Sequence, residues 1–413
     1  MDSPGGRHFT TIQPPLQLPY LQSIHLSGLK EVSHVWKCNW NKFIIPQHQP
    51  LQFPFQNLTS IYLNNCHKIR HLFSPLMAKY LSNLKELDIN GADGMEEVIC
   101  RRDDEIEENT STSYHQDTVF FPHLDTIELA SLPCLKSVDG DTRCRSDKFS
   151  SNTLRDGFQS GQVMGACWSL CQSPRKMYIS HCDALSSLIP WYAAGQMRRL
   201  EALVITNCQM LMEVFESKSS ANNVDEGGAH GGACTTLTRP TLKNITTVVA
   251  LAPQLSNLKT VYITKCDLLS HIFTFSTLES LHQLKYLRVT KCPAIQVIVK
   301  RENETSTKVV VFPRLETLEL KHLPSLKGFF LGMNGFQWPS LDNVLIDNCP
   351  ELMMFTSGQS TTPKLKYIQT SFGKYSPECG LNFHEAIDQV HFLYQATMHH
   401  LLNEHFIIKF SFP

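Results

Sequence analysis

The 413-residue sequence has no unbroken apolar stretch of the roughly 18 residues a membrane-spanning helix needs, so no span is expected. Its opening, MDSPGGRHFTTIQPP, lacks the apolar segment of a secretory leader. Neither sign of charge dominates. Lys and Arg number 37 against 38 Asp and Glu, a formal net charge of −1, so no whole-chain field favours nucleic acid or an anionic membrane surface. No phosphate-cradling G-x-x-x-x-G-K-[ST] or G-x-G-x-x-G is present, nor a G-x-S-x-G elbow or an H-E-x-x-H helix. These gaps leave no legible catalytic centre, and the expectation is a non-enzyme with no cofactor of its own.

What is present is repetition. Asn257 to Ile298 says one short thing twice: Leu258, Val261, Ile263 and Cys266 recur as Leu284, Leu287, Val289 and Cys292, 26 residues later. Numbering each unit from its first leucine, apolar residues at one, four and six make a short strand whose alternate side chains enter a core. Position nine lies inside the following corner, where a small thiol with a weak donor can pack against turn backbone. L-x-x-L-x-L-x-x-C at a period in the twenties marks a leucine-rich repeat, and one such coil cannot bury its apolar face unless others stack on it. Copies begin at Leu21, Leu58, Leu84, Leu124, Pro174, Leu200, Leu258, Leu284, Leu315, Leu341 and Leu365. The predicted fold is an α/β repeat solenoid, a horseshoe with a parallel concave β-sheet and an irregular, short-helical convex side.

Fourteen cysteines would ordinarily raise the question of a disulfide framework. Six of them, Cys66, Cys182, Cys208, Cys266, Cys292 and Cys349, take the corner position, which points to structural thiols kept reduced in the cytoplasm. The N-x-[ST] tripeptides at Asn57, Asn109, Asn244 and Asn303 therefore read as chance. Cys167 and Cys171, with His181 and Cys182 nearby, raise zinc, but Cys182 belongs to a corner and no second ligand pair has finger-like spacing. No metal site is expected. His399, His400 and His405 read as surface histidines of a last helix.

In chain order, residues 1–56 hold one coil, LQSIHLSGL, and a Pro-spotted connector; 57–380 form the solenoid; 381–413 form a helical cap or tail. The blocks 57–138 and 257–329 read as long duplicates, and Ser173 opens a third copy of their first two coils. A higher-order unit follows: two Cys-type coils, an insertion, then a coil in which Leu29, Leu132 or Leu323 replaces the corner Cys. The insertions near 101–118, 139–172 and 217–239 are polar or Gly-rich and have little to bury, and the acidic run within 101–118 reads as a solvated loop. Apolar positions at 383, 387, 390, 394, 398 and 401 predict an amphipathic helix over 382–405.

A solenoid offers surface rather than a pocket. Positions three, five and seven of each strand point away from the core. They supply a candidate protein-binding face: Tyr62, Asn64, Asp88, Glu128, Lys176, Tyr178, Tyr262, Tyr286, Arg288, Glu319, Lys321 and Asp347. Tyr and Arg are enriched at binding hot spots, although Tyr is also a good strand residue on a half-exposed sheet.

Several features taken together resemble one family. They are the corner Cys, the aromatic-ended coils RHLF, MEVF and SHIF, the Leu-Pro-x-Leu-Lys turns at Leu132–Lys136 and Leu323–Lys327, and the F-P-x-L-x-x-L-x-L segments. The combination resembles the C-terminal repeats of plant coiled-coil nucleotide-binding leucine-rich-repeat immune receptors, over residues of about 20 to 380. That resemblance implies intracellular sensing of a pathogen effector or a guarded host protein, with the repeats both setting recognition and restraining a nucleotide-binding domain in cis or in trans. The motifs of that domain are missing, which makes the chain read as a fragment, and ATP or ADP switching would belong to a domain upstream. MHH at Met398–His400 lies after the repeats and lacks the Asp of that family's Met-His-Asp element. The alternative is an F-box-type leucine-rich-repeat subunit of a ubiquitin ligase, whose repeats share the period, but no F-box-like helices precede the coils.

Overall fold

The computed structural model describes residues 18, 20–36, 55–74, 77–78, 81–100, 121–139, 170–190, 193, 197–216, 254–302, 308–371, 373–375, 392 and 395. The insertions near 101–118 and 217–239, most of 139–172 and most of the helix expected over 382–405 fall outside them.

The spine is a single 12-stranded sheet. Eleven of its strands come one from each coil: Ser23–Ser27, Ser60–Asn64, Glu86–Asn90, Thr126–Ala130, Lys176–Ser180, Ala202–Thr206, Thr260–Thr264, Tyr286–Thr290, Thr317–Lys321, Asn343–Asp347 and Ile368–Thr370. We number the coils 1 to 11 in this order. Neighbouring coils pair in parallel with no slip, so equal positions stand opposite one another: Leu287 faces Val261 on one side and Leu318 on the other. The apolar period of two fixes that register, because a one-residue slip would turn every core residue outward. The twelfth strand, Gly373–Tyr375, folds back antiparallel on coil 11, and the Lys374 ammonium lies 4.4 Å from the Tyr367 ring centroid.

Opposite the large sheet, the coils touch through short pieces. Ser187–Ile189 pairs with Glu213–Phe215, Phe273–Thr274 with Val299–Lys300, and Val310–Val311 with Phe336–Gln337, which pairs in turn with Ser360–Thr361. The sequence reading expected only irregular or short-helical segments here. Minimal parallel ladders accompany 3-10 turns at Leu170–Gln172 and Phe275–Ser280. No helix among the described residues is long and apolar enough to cross a membrane.

Between the two sides runs one continuous core, with Ile61, Ile127, Leu203 and Val261 at 0% exposure. The aromatic coil ends stack along it: Phe215 and Phe273 lie 6.2 Å apart, and Phe312 lies flat on Trp338 at 4.7 Å. Coil 1 is the exception. Its Ile24 and Leu26 are only half-buried because no described residue packs on their outer side. Leu29, read as a corner residue, is 36% exposed for the same reason, whereas Leu132 and Leu323 are at 0%.

Candidate functional site

Each coil turns its corner the same way. The six corner cysteines are buried, and each thiol donates to the carbonyl two residues earlier: Cys66 to Asn64, Cys182 to Ser180, Cys208 to Thr206, Cys266 to Thr264, Cys292 to Thr290 and Cys349 to Asp347. Three thiols also face the coil before, toward the carbonyls of Leu26, Leu129 and Leu320. All the described cysteines are free thiols. Burial pushes Cys349 up to about 12, and a neighbouring thiol together with burial raises Cys182 and Cys266, so these groups remain protonated and unreactive.

The residue before the corner carries a constraint the sequence reading missed. Position eight has positive φ in all ten coils where it is described: Gly28, Asn65, Gly91, Ser131, His181, Asn207, Lys265, Lys291, His322 and Asn348, between 51° and 67°. Its N–H then donates to the strand end of the next coil, as Lys265 does to Thr290 and Lys291 to Lys321. The left-handed turn thus extends the ladder by one bond and aims the next side chain inward. Gly, Asn and Ser at this position were the available signal.

The face opposite the core is ordered in rows. Position five reads His25, Tyr62, Asp88, Glu128, Tyr178, Val204, Tyr262, Arg288, Glu319, Leu345 and Gln369, each in register with the next. Lys176 and Tyr286 stand in the row at position three, and Asn64, Lys321 and Asp347 in the row at position seven. All twelve residues named from the sequence therefore lie along one sheet face.

Within the row at position five, neighbours engage one another to different degrees. His25 stacks on Tyr62 at 4.4 Å, and the Tyr62 hydroxyl donates to Glu86, which raises its pKa. Asp88, half-buried, is raised by burial and has no ion-pair partner among the described residues; nor has Glu128 beside it. Glu319 departs from the expectation of an exposed group, being 7% exposed. Its carboxylate accepts from Arg288 Nε and from Lys321 Nζ, and these bonds hold it below the usual carboxylate range although burial alone would raise it. The Arg288 guanidinium lies 5.3 Å from the Tyr262 ring centroid.

A further row, at position two, was not singled out from the sequence. Asp125, Arg175, Glu201 and Lys259 alternate in sign across coils 4 to 7, with Arg175 to Asp125 at 3.4 Å, Arg175 to Glu201 at 2.7 Å and Lys259 to Glu201 at 2.8 Å. Lys259 and Arg175 together hold Glu201 below the usual carboxylate range. The charged residue directly after the first leucine was the available signal.

Two sequence readings of chemistry do not gather into a site. Cys171 is buried with its thiol toward the Leu188 carbonyl at 3.8 Å, while Cys167 lies outside the described residues. His399, His400 and His405 lie outside them too.

A solved leucine-rich-repeat protein from Bacteroides ovatus is similar at 12% identity over 76% of this chain and 80% of its own, with a TM-score of 0.14. No curated protein matches the sequence directly. The family model for plant disease resistance protein RPS2-like leucine-rich repeats matches residues 38–151, 168–292 and 233–369, most of the chain. The protein belongs to the RPS2-like leucine-rich-repeat family of plant disease resistance proteins.

Proposed function

We propose that this chain is the protein-recognition module of a plant intracellular immune receptor, reading a pathogen effector or a host protein that an effector alters. The in-register row from His25 to Gln369 carries the proposal: a rigid sheet displays aromatic and charged groups in one line, at a spacing of about 4.8 Å between coils. The core varies little from coil to coil, while row five changes at nearly every step, as a recognition surface requires. In this reading residues 57–380 carry recognition, 1–56 hold the first coil and a connector, and 381–413 serve as a C-terminal cap or tail. Nucleotide-dependent signalling is assigned to a nucleotide-binding domain acting in cis or in trans, and the site of action is the cytoplasm.

The test compares two classes of variant. Tyr178→Ala and Tyr262→Ala remove side chains from the sheet face, and Met333→Ser removes an apolar group, 76% exposed, that lies off the strands. Recovery of one and the same protein by wild type and Met333→Ser but not by the tyrosine variants is expected. Equal recovery by all four would overturn the proposal.

A further inference from the structure

The chain as a whole is near neutral, yet two neighbouring strands with their flanking residues are not. Residues 259–265, KTVYITK, and 285–291, KYLRVTK, hold five Lys and Arg and no acid. Two of those cations are committed at the rims, Lys259 to Glu201 at 2.8 Å and Lys285 to Glu316 at 3.5 Å. Lys265 and Lys291, both exposed at the left-handed corner positions, have no ion-pair partner among the described residues.

Arg288 stands between these two groups. Its Nε is taken by Glu319 and its plane lies by the Tyr262 ring, so the side chain is held while its two terminal nitrogens have no partner among the described residues. An arginine fixed through Nε and a ring face presents the remaining fork already oriented, and that fork matches a carboxylate in bidentate geometry. Beside it, Thr290 Oγ1 donates to Thr264 Oγ1 at 2.7 Å, a pair of hydroxyls between the fork and the two free lysines. Pre-organisation of this kind lowers the ordering cost of binding.

We propose that coils 7 and 8 dock an acidic segment of the protein partner. Arg288 clamps one Asp or Glu side chain through its terminal nitrogens, and Lys265 and Lys291 attract the neighbouring acids. The assignment rests on the recognition reading above and adds the chemistry of the partner to it. Charge complementarity is local: the same face at coils 3 and 4 carries Glu86, Asp88 and Glu128 and would repel such a segment.

Fluorescence polarisation with the full chain tests this. The probes are a labelled peptide of alternating Glu and Gly, the same peptide with Gln for Glu, a phosphoserine version and a single-stranded oligonucleotide. The Glu peptide is expected to bind at least about tenfold more tightly than the Gln peptide. Arg288→Lys, which keeps the charge and loses the fork, is expected to weaken it about tenfold. Lys265→Gln with Lys291→Gln is expected to weaken it and flatten its salt dependence. The last variant alters only exposed, unpaired side chains, so it decides the matter should Arg288→Lys fail to fold.

Equal binding of Glu and Gln peptides, or unchanged binding by the folded variants, would overturn the proposal. A phosphoserine peptide about tenfold tighter would overturn the carboxylate assignment, and an oligonucleotide binding as tightly would overturn a protein partner. Loss of a whole partner in Tyr178→Ala without any binding of the Glu peptide would leave the recognition reading standing and sink this one.

Discussion

Cys266 and Cys292 occupy one corner of two successive coils, and their thiols donate to Thr264 and Thr290 at 3.6 and 3.3 Å. The same backbone carbonyl that accepts the Cys292 thiol also accepts the N–H of Lys265, so the corner and the ladder share an anchor at Thr290. A corner of this kind needs a small, buried, weakly donating side chain. Cys292→Ala is expected to cost about 1 kcal/mol, because Ala leaves a small void and one unmet acceptor bond. Cys292→Asp places a carboxylate in a corner that is at 0% exposure and is expected to prevent folding of that coil. Chemical denaturation read by circular dichroism checks both, and a tolerated Asp would refute the account of the corner.

Backbone strain at position eight makes a second prediction. Ser131 sits at φ 54°, where a Cβ costs about 1 kcal/mol or more. Ser131→Gly is expected to be neutral to stabilising by up to about 1 kcal/mol, and Ser131→Val to destabilise by about 1–2 kcal/mol. At Gly91, φ 67°, an added Cβ would meet Asn65 Oδ1 at 2.6 Å, so Gly91→Ala is expected to lower the melting temperature. A melting temperature for Ser131→Val at or above wild type would contradict the reading.

Charge and burial can be ranked against each other. The Glu201 carboxylate bridges two cations yet lies at the surface, where such pairs are worth at most about 1 kcal/mol and weaken in salt. Leu203, two residues on, is at 0% exposure, and Leu203→Ala is expected to cost about 2–5 kcal/mol. Denaturation at low and high ionic strength should show a small, salt-sensitive loss for Glu201→Gln and a large, salt-insensitive one for Leu203→Ala. The opposite order would mean that the ladder of ions, not the core, holds the coils together.

His271 supplies the pH dependence. It is 4% exposed, with Nδ1 2.9 Å from Ser270 Oγ, and burial with the nearby Lys300 depresses its pKa below the ordinary 6.5. A base with a depressed folded pKa binds more protons unfolded than folded. Its contribution is therefore fully present above pH 6.5 and lost as pH falls from there through the folded value. The melting temperature of wild type is expected to fall between pH 7 and pH 5 more steeply than that of His271→Gln; parallel curves would remove His271 as the cause.

The period of 26 and the two-residue alternation were enough to place all eleven strands, because a core of Leu, Ile and Val admits one register only. Three things were harder to read. Left-handed φ at position eight was legible in part, from Gly28, Asn65, Gly91, Asn207 and Asn348, whereas Lys265, Lys291 and His322 are not residues that announce such a turn. Burial of Glu319 depends on Arg288, 31 residues away, and on Lys321 beside it, and no single coil encodes that cluster. The openness of coil 1 at Ile24 and Leu26 depends on what stacks outside it, which periodicity within the coil does not specify.

The central claim is that the sheet face, not the outer side, meets the partner. Its most direct test places a photo-activated cross-linking residue at Val204, midway along row five between Tyr178 and Tyr262, and separately at Met333. The account predicts one partner protein joined at Val204 in plant tissue, lost on adding Tyr178→Ala, with nothing matching it at Met333. The same partner joined at Met333 and not at Val204 would contradict it.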